Sequence, residues 1–337
     1  MAGGRGARFW PLSQPHCPKQ CIPWGDRPSL LVQAIERALK LVGPDDITIL
    51  TGPAMRLAVI KDVEQAGLSA AHVQIEPSPR NTAPCVALAL GILPSEPDSV
   101  LIMPADHLIQ DESAWLECVQ KAHQEQAKRG APVLFGINPT RPHTGFGYIQ
   151  SRTVLSANEL EGVERFREKP SLELAEYFLS QGNYLWNAGM ILAPIGQLEL
   201  AYERFLPKSY RYIQSVREGA PLDVLWFETE EISLDFGILE RMTGLMVIAM
   251  DAGWSDLGAW DSAHLVLPPQ EYGHGIAPQV AAVNSSECIV MSESMDVALV
   301  GVTNIAVVQH GRQLLVLNRD AAQDIRAAVT AIEKAKS

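Results

Sequence analysis

The chain has no apolar run approaching the ~18 residues that cross a membrane as a helix. Its opening stretch, Met1 to Trp10, carries no apolar core of the kind found in a secretory signal. Positive charge is in short supply: 27 Lys and Arg stand against 39 Asp and Glu, a net charge of −12 with a sequence pI near 5.2. Broad nucleic-acid binding needs a basic stripe, so neither nucleic acid nor a membrane is expected as a partner. An anionic small ligand stays open, because a few local cations can govern one pocket. Cysteines are few, odd in number and scattered: Cys17, Cys21, Cys85, Cys118 and Cys288. That usage fits free thiols and a cytoplasmic setting. Cys17 and Cys21 beside His16 suggest zinc, but no second ligand pair appears at structural spacing. No low-complexity tract is present.

What remains is an ordinary globular balance, 47% apolar and 20% charged over 337 residues. The length suggests two domains at ~150 residues each, or one large and one small. Such a chain buries roughly three quarters of its extended surface and needs no staple.

Short apolar runs alternate with helical patterns through the first half. Ile47 to Gly52, Ser99 to His107 and Ala131 to Ile137 read as strands. Pro53 to Gly67 and Asp111 to Arg129 read as helices, the second with Asp111 as N-cap and Gly130 as stop. The alternation predicts an α/β fold with a parallel sheet covered on both faces, and ligands beyond the carboxyl ends of its strands. Asp106, just after Val100 to Met103, falls at such an end.

The middle mixes strands (Gly147 to Gln150, Val163 to Glu168, Ala188 to Ala193, Leu245 to Met250) with helices, one of them Ser171 to Gln181. The Pro- and Gly-rich stretch from Leu267 to Gly275 divides the chain into residues 1–266 and 276–337. Beyond it, Val280 to Val283, Cys288 to Met291, Val297 to Val300, Ile305 to Val308 and Leu314 to Leu317 suggest a small β module, a few turns of solenoid. Their spacing is too irregular to establish a repeat. A last helix runs from Asp320 to Lys336.

The N-terminal run is Gly3-Gly4-Arg5-Gly6-Ala7-Arg8-Phe9-Trp10-Pro11-Leu12-Ser13, followed by Pro18-Lys19-Gln20. Glycines let backbone N–H groups approach a phosphate, and Arg and Lys add fixed charge. No Gly-Lys-Ser/Thr follows, so this is no Walker A loop, and the third glycine of the dinucleotide fingerprint is missing.

This run resembles the signature loop of the sugar-1-phosphate nucleotidyltransferases. Its Trp-Pro-Leu-Ser and Pro-Lys-Gln forms are similar to the mannose-1-phosphate guanylyltransferase branch. Further matching stretches follow in order: Glu76 to Pro84, Met103 to His107, Thr144 to Ile149, Phe166 to Pro170, Trp186 to Met190, Ser233 to Gly237 and Trp254 to Trp260. The tail is loosely similar to the family's short left-handed β-helix. The resemblance implies a Rossmann-like mixed sheet of nucleotidyltransferase type with a small C-terminal β-helix-like module. It also implies GTP and mannose 1-phosphate as substrates, GDP-mannose and pyrophosphate as products, and Mg²⁺ as cofactor.

By the same resemblance, Gly4 and Gly6 offer backbone donors to the nucleotide phosphates, and Arg8 and Lys19 neutralise the triphosphate. Arg80 and Asn81 sit near the nucleotide, and Asp106 and Asp256 hold the metal. Gly145, Gly147, Glu168 and Asn187 bind sugar hydroxyls, and Lys169 holds the sugar's phosphate. Bland readings stand beside these. Asp106 and Asp256 would serve as caps, Glu168-Lys169 as a solvated pair, Trp254 and Trp260 as core, and His107 and Asp235 as braces. A homodimer through the β-rich tail is open.

The chain departs from the family pattern at several points. A strand normally precedes the glycine loop, whereas this sequence reads Met1-Ala2-Gly3, so an upstream natural start is expected, the alternative being an impaired protein. Val32 and Pro79, near the expected base pocket, replace a glutamine and a glycine. Ala188 and Cys21 replace a serine and an aromatic residue. With about 70 residues after Pro268, phosphomannose isomerase activity is not expected. Two rivals remain: another nucleotide or hexose 1-phosphate on the same fold, and a non-catalytic sugar-nucleotide-binding regulator.

Overall fold

The computed structural model describes residues 1–4, 6–14, 16–94 and 98–336. A six-stranded sheet forms the centre, in the order β3 (Ser99–Ile102), β7 (Tyr184–Pro194), β4 (Val133–Ile137), β8 (Met246–Ala249), β6 (Leu160–Arg167), β5 (Tyr148–Ser151). A separate parallel pair, β1 (Ile49–Thr51) and β2 (Val73–Ile75), stands beside it.

The sheet is mixed rather than parallel. Only β4 and β8 run parallel; β3 and β4 each lie antiparallel to β7, which separates them. The helical crossover α4 (Glu112–Arg129) does return β4 in the direction of β3, but leaves one strand's width between them. That slot is filled by β7, an eleven-residue strand buried along nearly its whole length. Its first residues also pair with β5, so the sheet curls back on itself. The strand expected from Ser99 to His107 ends at Ile102, and the following residues form the site loop.

Local chemistry sets the helix ends. Asp111 accepts from the Ala114 N–H at 2.9 Å, and Gly130 closes α4 in the left-handed conformation. Ser29 caps α1 (Leu30–Leu39), and Ser171 caps α5 (Leu172–Gln181). The remaining helices of this region are α2 (Arg56–Gln65), α3 (Thr82–Ile92), α6 (Ile195–Phe205) and α7 (Pro207–Arg217). The apolar α3 packs on α7 over one face of the sheet, with Leu88, Tyr202, Tyr212 and Ile213 in the shared core. Trp115, Cys118 and Val119 of α4 cover the other.

Met1 and Ala2 do not leave their neighbours unpaired. The Ala2 N–H donates to the Leu50 carbonyl at 2.7 Å, and the Ala105 N–H donates to the Met1 carbonyl at 2.9 Å. These two residues thus bridge β1 and the loop after β3.

The tail forms stacked strands. β9 (Pro269–Gln270), β10 (Gly273–Ile276), β12 (Cys288–Ser292), β14 (Ile305–His310) and β15 (Gln313–Asn318) make one sheet, and β11 (Val280–Val283) pairs with β13 (Val297–Val300) in another. The pairings β10–β12, β12–β14 and β11–β13 are parallel, as in a solenoid. Gly273 lies beside Cys288 whereas Ile289 lies beside Ala306, so one coil is two residues shorter than the next. That inequality is why periodicity alone does not reveal the repeat. The last helix, α8 (Ile325–Lys336), follows a short turn, Arg319–Asp324.

Candidate functional site

The site grows from the glycine run. Gly6 has φ 60°, and a Cβ there would collide with the Lys19 side chain, so only glycine lets this backbone lie against the lysine. Lys19 follows Pro18 in a short 3₁₀ turn and is 5% exposed. Gln20 anchors that turn by donating to the Ala2 carbonyl at 2.7 Å. The buried ammonium therefore has a fixed address. It donates to Asp106 Oδ2 at 3.0 Å and to the Asp256 backbone carbonyl.

Asp106 and Asp256 come together because their loops pair: the Leu108 and Ser255 N–H groups each donate to the other's carbonyl, at 2.9 and 3.0 Å. No helix begins at Leu257, so Asp256 is not a cap; the next turn is the 3₁₀ segment Trp260–Leu265. Burial works against ionisation of Asp106, but Lys19 and then His107 outweigh it and hold the carboxyl at about 2. Gly4 lies against the same carboxylate. Arg8 stands in the fields of Asp256 and Asp261; burial first and Arg326 second push its guanidinium down. Among the described residues, Arg8 Nε is buried without a partner. Arg5 lies outside the described residues.

Two carboxylates at one loop pair suit a hard divalent cation that takes its remaining ligands from phosphate and water. Among the described residues no group of three His, Cys, Asp or Glu side chains converges, so the donor set is not a dedicated protein cage. The Cys17, Cys21 and His16 set forms no such group either; Cys17 Sγ donates to the Cys21 carbonyl.

A second cluster lies on β5, β6 and β7. Asn187 sits where β4 bulges, opposite Gly136. Its N–H donates to the Gly147 carbonyl at 2.8 Å, and its Nδ2 donates to Asp235 Oδ1 at 2.8 Å. A Cβ on Gly147 would stand 2.5 Å from Glu168 Oε2, so the glycine makes room for that carboxyl. Burial, then Asp235, raises Glu168 to about 7 despite Lys169 at 3.4 Å. Lys169 adopts φ 46° and is largely exposed. Gly145 N–H donates to His143 Nδ1, and His143 stacks on Phe146.

His107 and Trp254 join the two clusters. Trp254 Nε1 donates to His107 Nδ1 at 3.2 Å, and its ring meets Phe146 edge-on, between Gly145 and Gly147. His107 also bonds the backbone at Ala188, and burial lowers its pKa. Trp260 is fully buried with Phe9 and Trp24.

Arg80 and Asn81 are not drawn in. Arg80 donates to the Thr229 carbonyl at 2.9 Å and faces Glu231. Asn81 caps α3, accepting from the Thr82 N–H. No hydrogen bond or ion pair joins either to the Lys19 group among the described residues. Asp235 proves central to the second cluster. The sequence signal for it was its place in Ser233 to Gly237, and the structure adds a π-helical turn, Asp235–Leu239.

The nucleotidyl transferase family model matches residues 1–268, and that of the MannoseP isomerase/GMP-like beta-helix domain matches 279–332. Mannose-1-phosphate guanylyltransferase RfbM of Salmonella typhimurium is 32% identical over 346 residues, 99% of this chain and 72% of that protein. Xanthan biosynthesis protein XanB of Xanthomonas campestris is 31% identical over 345 residues, 99% of this chain and 73% of its own. The crystal structure of mannose-1-phosphate geranyltransferase from Thermus thermophilus superposes with a TM-score of 0.87 at 30% identity, covering 99% of this chain and 98% of that one. With the family model, the relatives and the fold in agreement, this chain belongs to the nucleotidyl transferase family.

Proposed function

We propose that this chain transfers GMP from GTP to the phosphate of mannose 1-phosphate, forming GDP-mannose and releasing pyrophosphate. The supporting observation is the meeting of Gly4, Gly6, Lys19, Asp106 and Asp256 in one cluster, joined through His107 and Trp254 to Gly147, Glu168 and Asn187. A sugar phosphate is largely dianionic at neutral pH and attacks without a general base. The obstacle is repulsion between two anions, so positioning and charge compensation dominate.

Lys19 and Arg8 offset the triphosphate and then the departing pyrophosphate, while Gly4 and Gly6 admit the phosphates to the backbone. Gly145, Gly147, Glu168 and Asn187 orient the sugar, and Lys169 faces its phosphate. Members of this family use a divalent metal; for this chain we propose Mg²⁺, held by Asp106 and Asp256. Bound there, it would supply further charge stabilisation at the α-phosphate. Arg80 and Asn81 are assigned to the nucleotide side on the motif alone, since their contacts are with Thr229, Glu231 and Thr82. We assign the transferase unit to residues 1–266 and the β module to 276–337, the protein to the cytoplasm, and homodimer contacts to the β module. Among the described residues no helix is long and apolar enough to cross a membrane.

The test is pyrophosphate release with four NTPs against mannose and glucose 1-phosphates. Turnover highest with GTP and mannose 1-phosphate is expected. Preference for another pair would reassign the substrate, and binding without turnover would make the protein a regulator.

A further inference from the structure

The glycine loop and the tail share one core. Phe9, Ile22, Trp24 and Trp260 are buried together with Ile289, Ala306, Val308, Leu315 and Ile325. Trp260 Nε1 donates to the Trp10 carbonyl at 3.0 Å, fixing the loop from the same side. α8 packs on the Ala7–Phe9 turn that carries Arg8. Ile325 enters the core, and the next residue, Arg326, is exposed.

That placement is unfavourable for the protein alone. α8 sets Arg326 close enough to act on the Arg8 guanidinium, and among the described residues Arg8 Nε is buried without an acceptor. Like charges held together by a packed helix, next to an unpartnered donor, are the arrangement an incoming polyanion relieves.

We propose that Arg326, delivered by α8 of the β module, is a second cation for the nucleotide's β- and γ-phosphates, working beside Arg8. The assignment rests on the guanylyltransferase reading above. It makes the tail part of the nucleotide site and not only a support for it. Asp256 and Asp261 also act on Arg8, so its charge is partly compensated before the substrate arrives.

The experiment compares Arg326→Ala, Arg326→Lys and Arg312→Ala, the last removing an exposed cation in the β14–β15 turn. Folding is checked by circular dichroism. Initial rates give KM for GTP and for mannose 1-phosphate, and calorimetry gives GTP affinity directly. Arg326→Ala should raise the KM for GTP about tenfold, the loss of one charge-assisted contact, with the KM for mannose 1-phosphate changed less than about twofold. Arg326→Lys should recover part of the loss, and Arg312→Ala should behave as wild type. A GTP KM and affinity in Arg326→Ala equal to wild type, or a rise matched by Arg312→Ala, would overturn the proposal. Absence of GTP turnover in the unaltered protein would instead defeat the substrate reading, and GTP calorimetry would still judge Arg326.

Discussion

The two ends of the site handle charge in opposite ways. At the proposed phosphate end, a buried lysine meets an aspartate whose carboxyl is held at about 2. At the proposed sugar end, two carboxyls are pushed up: the buried Glu168 by its burial and then by Asp235, and the half-buried Asp235 by its own removal from water. One end is pre-ionised and suited to exchange partners with an anion and its counter-ion. The other resists ionisation and suits hydroxyl groups, which accept and donate. On the proposed reading, the two clusters would take the charged and the neutral parts of a sugar phosphate in one orientation.

The comparison is broken most severely at Lys19. Lys19→Ala should lower kcat/KM by about a thousandfold, since it removes the pre-placed cation and leaves Asp106 without its partner. Pyrophosphate release at saturating GTP measures it; a loss below about tenfold would mean that Lys19 only braces the loops. Asp256→Asn should lower turnover by about a hundredfold and shift the melting temperature little. It leaves intact the backbone carbonyl that accepts from Lys19, so only carboxylate charge is removed. Wild-type rates at saturating Mg²⁺ would remove Asp256 from the metal site.

Acidity separates the two ends without any mutation. Glu168 is raised from 4.5 to about 7, so the folded protein holds more protons than the unfolded one between those values. Stability falls as pH rises through that window, by at most about 3 kcal/mol from this group. Asp106 has the opposite sign: its contribution is present above 3.8 and lost as pH falls toward about 2. Denaturant titrations of wild type and Glu168→Gln should differ in slope between pH 4.5 and 7 and run parallel below; parallel curves throughout would mean Glu168 titrates normally. The smallest effect is expected at the exposed Lys169. Lys169→Ala should raise the KM for mannose 1-phosphate about fivefold and leave that for GTP nearly unchanged, the usual scale for one solvated charge contact. Equal changes for both substrates would remove it from the sugar phosphate.

Much of this was legible in the residues. Asp111, Gly130 and Ser171 mark helix ends because capping is local chemistry, visible within four positions. The direction of β3 and β4 was readable too, but not their separation: β7 lies about fifty residues further on and slots between them, a pairing no local pattern reports. The same limit explains Arg80, whose motif suggested the nucleotide while its guanidinium is turned to Thr229 and Glu231 from a distant segment. Arg326 carried no signal at all, since only the packing of α8 on the glycine loop gives it a role. Gly6 and Lys19 were the reverse case: the motif resemblance put both on the phosphates, and the glycine's backbone lies against the lysine.

The π turn at Asp235 carries a consequence for how the Asn187 cluster can change. Such a turn holds one residue more than an α-helix would use over the same rise, while Ile238 and Leu239 remain fixed in the core. Deleting a single residue between them and Asp235 would rewind the backbone and swing the carboxyl by about 100°. Asn187 would then lose its acceptor with no substitution anywhere in the sugar cluster. If this cluster holds the sugar as proposed, its preference is adjustable by insertion length as well as by residue type.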